Sequence, residues 1–170
     1  MKRHAFIPAS PAPLEERITP SPSGLASAVA TPRALLQSHS LGLYGIALGS
    51  DTTVGAHHML QASDATISPL GTVSLSGFLV IPNKGAAKRA VHGTVMISNA
   101  QGTVKVSLSG TVTVYNGAFT FASGTLSYKI DSGTKADHGA TGTGPVSYGP
   151  GPVFQPGRFL LDFGNYPLPP

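Results

Sequence analysis

The chain has 170 residues, enough for one domain and a tail, with 41% hydrophobic residues, only 11% charged residues and no cysteine. That hydrophobic share is too high for a disordered chain, and the missing cysteine excludes disulfides, thiolate zinc sites and a cysteine nucleophile. The formal net charge of +4 is divided, because residues 1–40 carry Lys2, Arg3, Arg17 and Arg33 against Glu15 and Glu16, and the remainder carries seven cations against five anions, so a nucleic-acid partner is not expected.

Residues 1–38 read as a disordered leader, since Pro8, Pro11, Pro13, Pro20, Pro22 and Pro32 interrupt any helix or ladder. Met1-Lys2-Arg3 and the small-residue run Ala28-Val29-Ala30 have the character of an export segment, although the apolar stretch between them is short. Nowhere does an 18-residue run lack breakers, so no transmembrane segment is expected. Leu14-Glu15-Glu16-Arg17, followed by Pro20-Ser21, resembles the N-terminal L-E-x-R element of many exported and surface proteins of planctomycete bacteria. The resemblance implies an extracytoplasmic, secreted or cell-surface, bacterial protein.

The folded part is expected over residues 39–166, with 167–170 as a proline-rich tail. Leu41 to Gly49 is a first strand with two fairly apolar faces, and Val54 to Ile67 a second. Pro69-Leu70-Gly71 turns the chain into Thr72–Ile81, where Val73, Leu75, Leu79 and Ile81 share a face. A loop at Pro82-Asn83-Lys84-Gly85, whose neighbours Lys88 and Arg89 add to a basic tip, leads to Val91–Ser98. Gly102 to Tyr115 then alternates without a break: Val104, Val106, Leu108, Val112 and Val114 against Thr103, Lys105, Ser107, Ser109, Thr111 and Thr113. Successive strand side chains point to opposite faces, so one face lies in a core and the other in water.

Asn116-Gly117 is a type I′ hairpin signal into Ala118–Ile130. There the apolar positions change from odd (Phe119, Phe121) to even (Leu126, Tyr128, Ile130), which predicts a bulge at Ser123-Gly124. Asp131–Gly139 is expected to hold a helical turn, followed by strands at Ala140–Tyr148 and Arg158–Phe163. The recurring G-T-V unit has no fixed period, which disfavours a solenoid. About eight short, locally connected strands predict an all-β, mostly up-and-down antiparallel barrel.

The segment Ser132–Gly142 resembles the G-G-T-G-x-[FY]-x-G-A-x-G signature of the allene oxide cyclase and dirigent type of β-barrel. Gly133, Thr134, Gly139, Ala140 and Gly142 match, while Lys135 stands for a glycine and Asp137 for an aromatic. The resemblance implies the barrel fold; equivalents of the family's interior acidic, tyrosine or arginine groups have no assigned positions, so its chemistry does not transfer. Independently of any family, these glycines permit positive φ and let the backbone cross a crowded barrel end.

Candidate chemistry is sparse. His57 and His58 are adjacent on a strand and face opposite ways, so they do not share a metal, and His58 is the one assigned to a ligand site. Asp137 and His138, with Asp131 and Lys135 nearby, form a candidate acid/base group at a barrel mouth. Tyr44, Met59, His92, Met96, Phe119 and Phe121 are candidates to line the interior. Arg158 and Asp162 share a strand face as edge charges. No G-x-S-x-G elbow or phosphate loop is present, and no cofactor or metal is expected. The expectation is a non-catalytic structural or small-ligand-binding barrel, its ligand site drawn from Tyr44, His58, Met96, Phe119, Phe121, Asp137 and His138. The alternatives are a cyclase- or isomerase-like enzyme and a lipocalin-like carrier of a small apolar molecule.

Overall fold

Period-two alternation becomes ten strands in the computed structural model, which describes residues 38–116, 120–151 and 155–164. They are β1 (His39–Ser40), β2 (Tyr44–Val54), β3 (His57–Ser68), β4 (Gly71–Val80), β5 (Lys88–Ser98), β6 (Thr103–Asn116), β7 (Thr120–Gly133), β8 (Ala140–Thr141), β9 (Thr143–Gly149) and β10 (Arg158–Phe163). Eight of them close in the order β10-β2-β3-β4-β5-β6-β7-β9, every pairing antiparallel. The leader through Gln37, the Gly117 half of the hairpin signal, Phe119 and residues 167–170 lie outside the described residues.

Closure leaves these eight strands without a sheet edge, and it turns one face of each of them inward. On β6 the five predicted core residues are all buried, and Lys105 between them is exposed. Val73, Leu75 and Leu79 of β4, Ile81 beyond it, and Val91, Val95 and Ile97 of β5 are buried as their alternation requires. Phe159, Leu161 and Phe163 of β10 complete the circuit, and the side chains of the eight inner faces form one core.

Two bulges allow the sheet to curl, and neither lies at Ser123-Gly124. On β3, Ala62 pairs Leu75 while Ala65 pairs Val73, so one extra residue is accommodated at Ser63-Asp64. Asp64 takes φ of 60° there, a left-handed conformation that aspartate tolerates better than most residues. The inward set of β3 accordingly changes from His58, Leu60 and Ala62 to Ala65 and Ile67. On β7, Ile130 pairs Val106 and Ser132 pairs Lys105, which makes Asp131 the extra residue. At the expected position the ladder is regular, with Gly124 opposite Val112. Glycine is needed there for a different reason: a Cβ would sit 2.1 Å from the Thr111 carbonyl oxygen. The even positions of β7 therefore stay inward from Ala122 to Ile130, the Asp131 bulge turns Ser132 outward, and Phe121 falls on the outer face.

The boundaries of the first hairpin also differ from expectation. β2 continues five residues past Gly49 and turns at Gly55, whose φ of 64° suits the tight connection. Leu41 belongs to the link between β1 and β2. We call the barrel end carrying this hairpin, the 82–87 loop and the start of β10 the upper end.

Residues 134–142 cover the lower end. A single 3-10 turn at Lys135–Asp137 is followed by β8, which pairs in parallel with β1. Beneath it the Leu43 amide donates to the Tyr128 hydroxyl at 2.7 Å, and Tyr128 meets Phe163 edge-on at 5.8 Å between centroids.

Candidate ligand-binding mouth

The odd residues of β2 face inward, so continuing the strand past Gly49 brings Asp51 to the inner rim of the upper end. Across the Gly55 turn, His58 lies opposite Thr53 and diagonal to Asp51. Tyr148, the last large inward residue of β9, reaches the same point from the far side of β10. The Asp51 amide donates to the Gly157 carbonyl oxygen at 2.7 Å, which ties the start of β10 to the rim.

Asp51 is the hub. Its Oδ2 lies 2.9 Å from His58 Nδ1 and 3.1 Å from the Tyr148 hydroxyl. Thr53 Oγ1 stands 3.3 Å from the same His58 nitrogen. The Asp51 side chain is only 11% exposed and His58 19%. A carboxylate accepts hydrogen bonds, so the pairing sets the proton of a neutral His58 on Nδ1 and leaves Nε2 with its lone pair. Among the described residues Nε2 has no hydrogen-bond partner. Burial, the Asp51 charge and the Asp51 hydrogen bond all push the Tyr148 hydroxyl above its ordinary range, so it holds its proton and donates to the carboxylate. Asp51 Oδ1 is buried without a hydrogen-bond partner, a desolvation cost carried at the rim.

Above the cluster opens a cleft of about 360 Å³, lined by His58, Phe121, Pro150, Pro156 and Arg158 among others. It joins apolar ring surfaces to one free imidazole nitrogen, one guanidinium and, at its floor, the Asp51 carboxylate. Charge is divided between the two ends. Among the described residues the upper half holds Lys84, Lys88, Arg89 and Arg158 against Asp51, and the lower half holds Lys105, Lys129 and Lys135 against Asp64, Asp131, Asp137 and Asp162. Arg89, at the start of β5, is fixed against the 82–87 loop by donating to the carbonyl oxygens of Pro82 and Ala86.

Of the residues selected from sequence, His58 belongs to this cluster, and Phe121 lines the cleft from the outer rim, half-buried and stacked on Tyr115 at 4.9 Å. Tyr44 and Met96 do not line the interior: both point outward, 52% and 38% exposed, because the inward parity of their strands belongs to Ala47 and Gly49 and to Val95 and Ile97. Met59 and His92 are outward for the same reason. Asp137 is buried and His138 exposed, both at the lower end and therefore remote from His58. The glycine segment lies with them. Gly139 has φ of 79°, a Cβ on Gly133 would stand 2.0 Å from the Asp137 carbonyl oxygen, and one on Gly142 would stand 2.2 Å from that of Leu41. Thr134 Oγ1 accepts from the Thr103 amide at 3.0 Å, and Ala140 is buried opposite His39. Each of these contacts holds the lower closure together.

Asp51 and Tyr148 escaped the sequence reading. A strand ended at Gly49 leaves Asp51 in a loop; a hairpin centred on Gly55 would have set it diagonal to His58. Among the described residues no group of three or more His, Cys, Asp or Glu is placed to hold a metal ion, and no helix is long and apolar enough to cross a membrane.

Fold and rim together define a closed, eight-stranded antiparallel barrel with a core filled by side chains and a polar cluster at one mouth. The chain matches no family model, and neither the curated proteins nor the solved structures contain a significant match to it.

Proposed function

We propose that the protein is a non-catalytic small-ligand-binding barrel, exported from a bacterial cell, whose ligand sits in the upper cleft rather than in the interior. The observation that carries this reading is the Asp51–His58 pair, which presents His58 Nε2 as an unsatisfied acceptor on an apolar cleft beside Arg158. The ligand class that fits is a small molecule with an apolar or aromatic body and an acidic group. The body lies against Phe121 and the prolines, the acid's oxygens meet Arg158, and a protonated group of the ligand donates to Nε2. The excess of cations at the upper end favours the approach of such an anion.

Benzoate is a suitable probe. Titrated into the isotopically labelled full chain, it should shift the amide resonances of residues 51–58, 121–122, 148–149, 151, 155 and 157–158 and leave residues 134–142 unmoved. Arg158→Ala should weaken binding about tenfold, the loss of one charge-assisted contact. Shifts confined to the lower end would overturn the assignment.

A second reading has one observation in its favour. A carboxylate-oriented imidazole is also the arrangement of a general base, as a cyclase- or isomerase-like enzyme requires. It is separated from the first by turnover: loss of an isomerisation on His58→Ala, with binding retained, would favour the enzyme. Kinship with the allene oxide cyclase and dirigent barrels is supported by the closed eight-stranded topology and by the glycine segment leading into β9. It remains a proposal about ancestry and brings no residue roles with it.

A further inference from the structure

A second site lies on the outside of the barrel, away from the mouth. The lower half of the outer face of β2 is apolar where an outer face is ordinarily polar: Tyr44, Ile46 and Leu48 are all exposed. With the β3 bulge and Asp162 of β10 they border a groove of about 520 Å³. Inward parity on β10 belongs to Phe159, Leu161 and Phe163, so the Asp162 side chain stands on the outer face, directly across from Ile46. It is nevertheless only 3% exposed. No described residue gives it a hydrogen bond or an ion pair. Asp64 contributes a second carboxylate at the bulge, held in its left-handed conformation, and none of the residues lining the groove is a cation.

We propose that this groove binds a small organic cation, an ammonium on an apolar body, with Asp162 as its counter-ion. A buried carboxylate without a partner is costly, and a desolvated one attracts a cation far more strongly than a hydrated one. Burial already pushes the Asp162 carboxyl above the usual carboxylate range, in the direction expected of an acid lacking a counter-ion. Tyr44, Ile46 and Leu48 supply the apolar surface for the ligand's body, and the groove has the volume of a small-molecule site. Arg158, the other outward charge of β10, belongs to the upper cleft and does not line the groove.

The test uses the full chain and benzylammonium, with benzyl alcohol as its uncharged analogue and benzoate as its anionic one. Benzylammonium should produce saturable shifts at the amides of residues 44–48, 63–66 and 160–163, with benzyl alcohol about tenfold weaker and benzoate absent from this groove. Asp162→Asn should abolish the preference for the charged probe, and Asp131→Asn, with an exposed carboxylate on β7, should leave it intact. Thermal melts of both variants establish that each is folded. Equal affinity for benzylammonium and benzyl alcohol, or a preference that survives Asp162→Asn in a folded chain, would overturn the proposal. Because the upper cleft is tested with benzoate and Arg158→Ala, either site can fail without the other.

Discussion

Truncating Leu108 to alanine probes the barrel at its centre. Leu108 is 1% exposed, points inward from the middle of β6, and pairs with Gly93 on one side and Tyr128 on the other. The substitution deletes three buried carbons. At ~0.8 kcal/mol for each buried methylene, the transfer loss alone is about 2.4 kcal/mol. Gly93 has no side chain to move into the gap, and Tyr128 is held by the Leu43 amide at its hydroxyl and by Phe163 at its ring. The space stays largely open, and the cavity penalty brings the expected cost to roughly 3–5 kcal/mol. Urea unfolding followed by far-ultraviolet circular dichroism measures this directly, with the slope unchanged and the midpoint lowered. A loss below about 0.5 kcal/mol would mean that Leu108 does not face a packed interior, and the inward assignment of β6 would fail with it.

Other expectations follow from single contacts. Lys105→Ala, on the wet face of the same strand, should change stability by less than about 0.5 kcal/mol in the same assay. Tyr148→Phe removes a hydrogen bond to the already under-partnered Asp51 and should cost about 1.5–3 kcal/mol, against almost nothing for Tyr115→Phe on the outer face; equal effects would refute the rim cluster. Gly133→Ala should cost roughly 1–3 kcal/mol, because its Cβ meets the Asp137 backbone, and unchanged stability would show the lower closure to be loose. Asp162 titrates higher when folded than when unfolded, so its ionisation opposes folding. Stability is lost as pH rises from the ordinary carboxylate range through the raised value. In the absence of a ligand, Asp162→Asn should therefore melt higher than the parent chain at neutral pH and converge with it in acid; a variant that melts lower at neutral pH would contradict the desolvation of Asp162.

What the sequence made legible was whatever a period of two encodes. The faces of β4, β5 and β6 follow from alternation alone, because a one-residue slip would expose every valine on them. The bulges did not follow. At Ser63-Asp64 the sequence A-S-D-A carries no glycine to mark the extra residue, since aspartate adopts the left-handed conformation itself. At Ser123-Gly124 a glycine was present for close backbone approach and suggested a bulge that is not there. Aromatic and sulfur side chains misled for a related reason: Tyr44 and Met96 look like lining residues by type, but strand parity places a side chain before chemistry has any influence. The site was half legible. His58 stands out in the sequence as one of a histidine pair, and in the barrel it turns inward while His57 turns outward, as adjacent strand positions require. Asp51 is seven residues from His58 and follows from a hairpin centred on Gly55, but Tyr148 is invisible to any local reading, because it is 97 residues from Asp51 and meets it only through closure.

The question of what occupies the mouth is answered most directly by native mass spectrometry of the full chain purified from the cells that make it. A non-covalent small-molecule adduct is expected on the parent chain, retained in His138→Ala at the lower end and lost in His58→Ala and Arg158→Ala. A parent chain that carries no adduct, or an adduct that survives both upper-end substitutions, would contradict the assignment of the Asp51–His58–Tyr148 mouth as a ligand site.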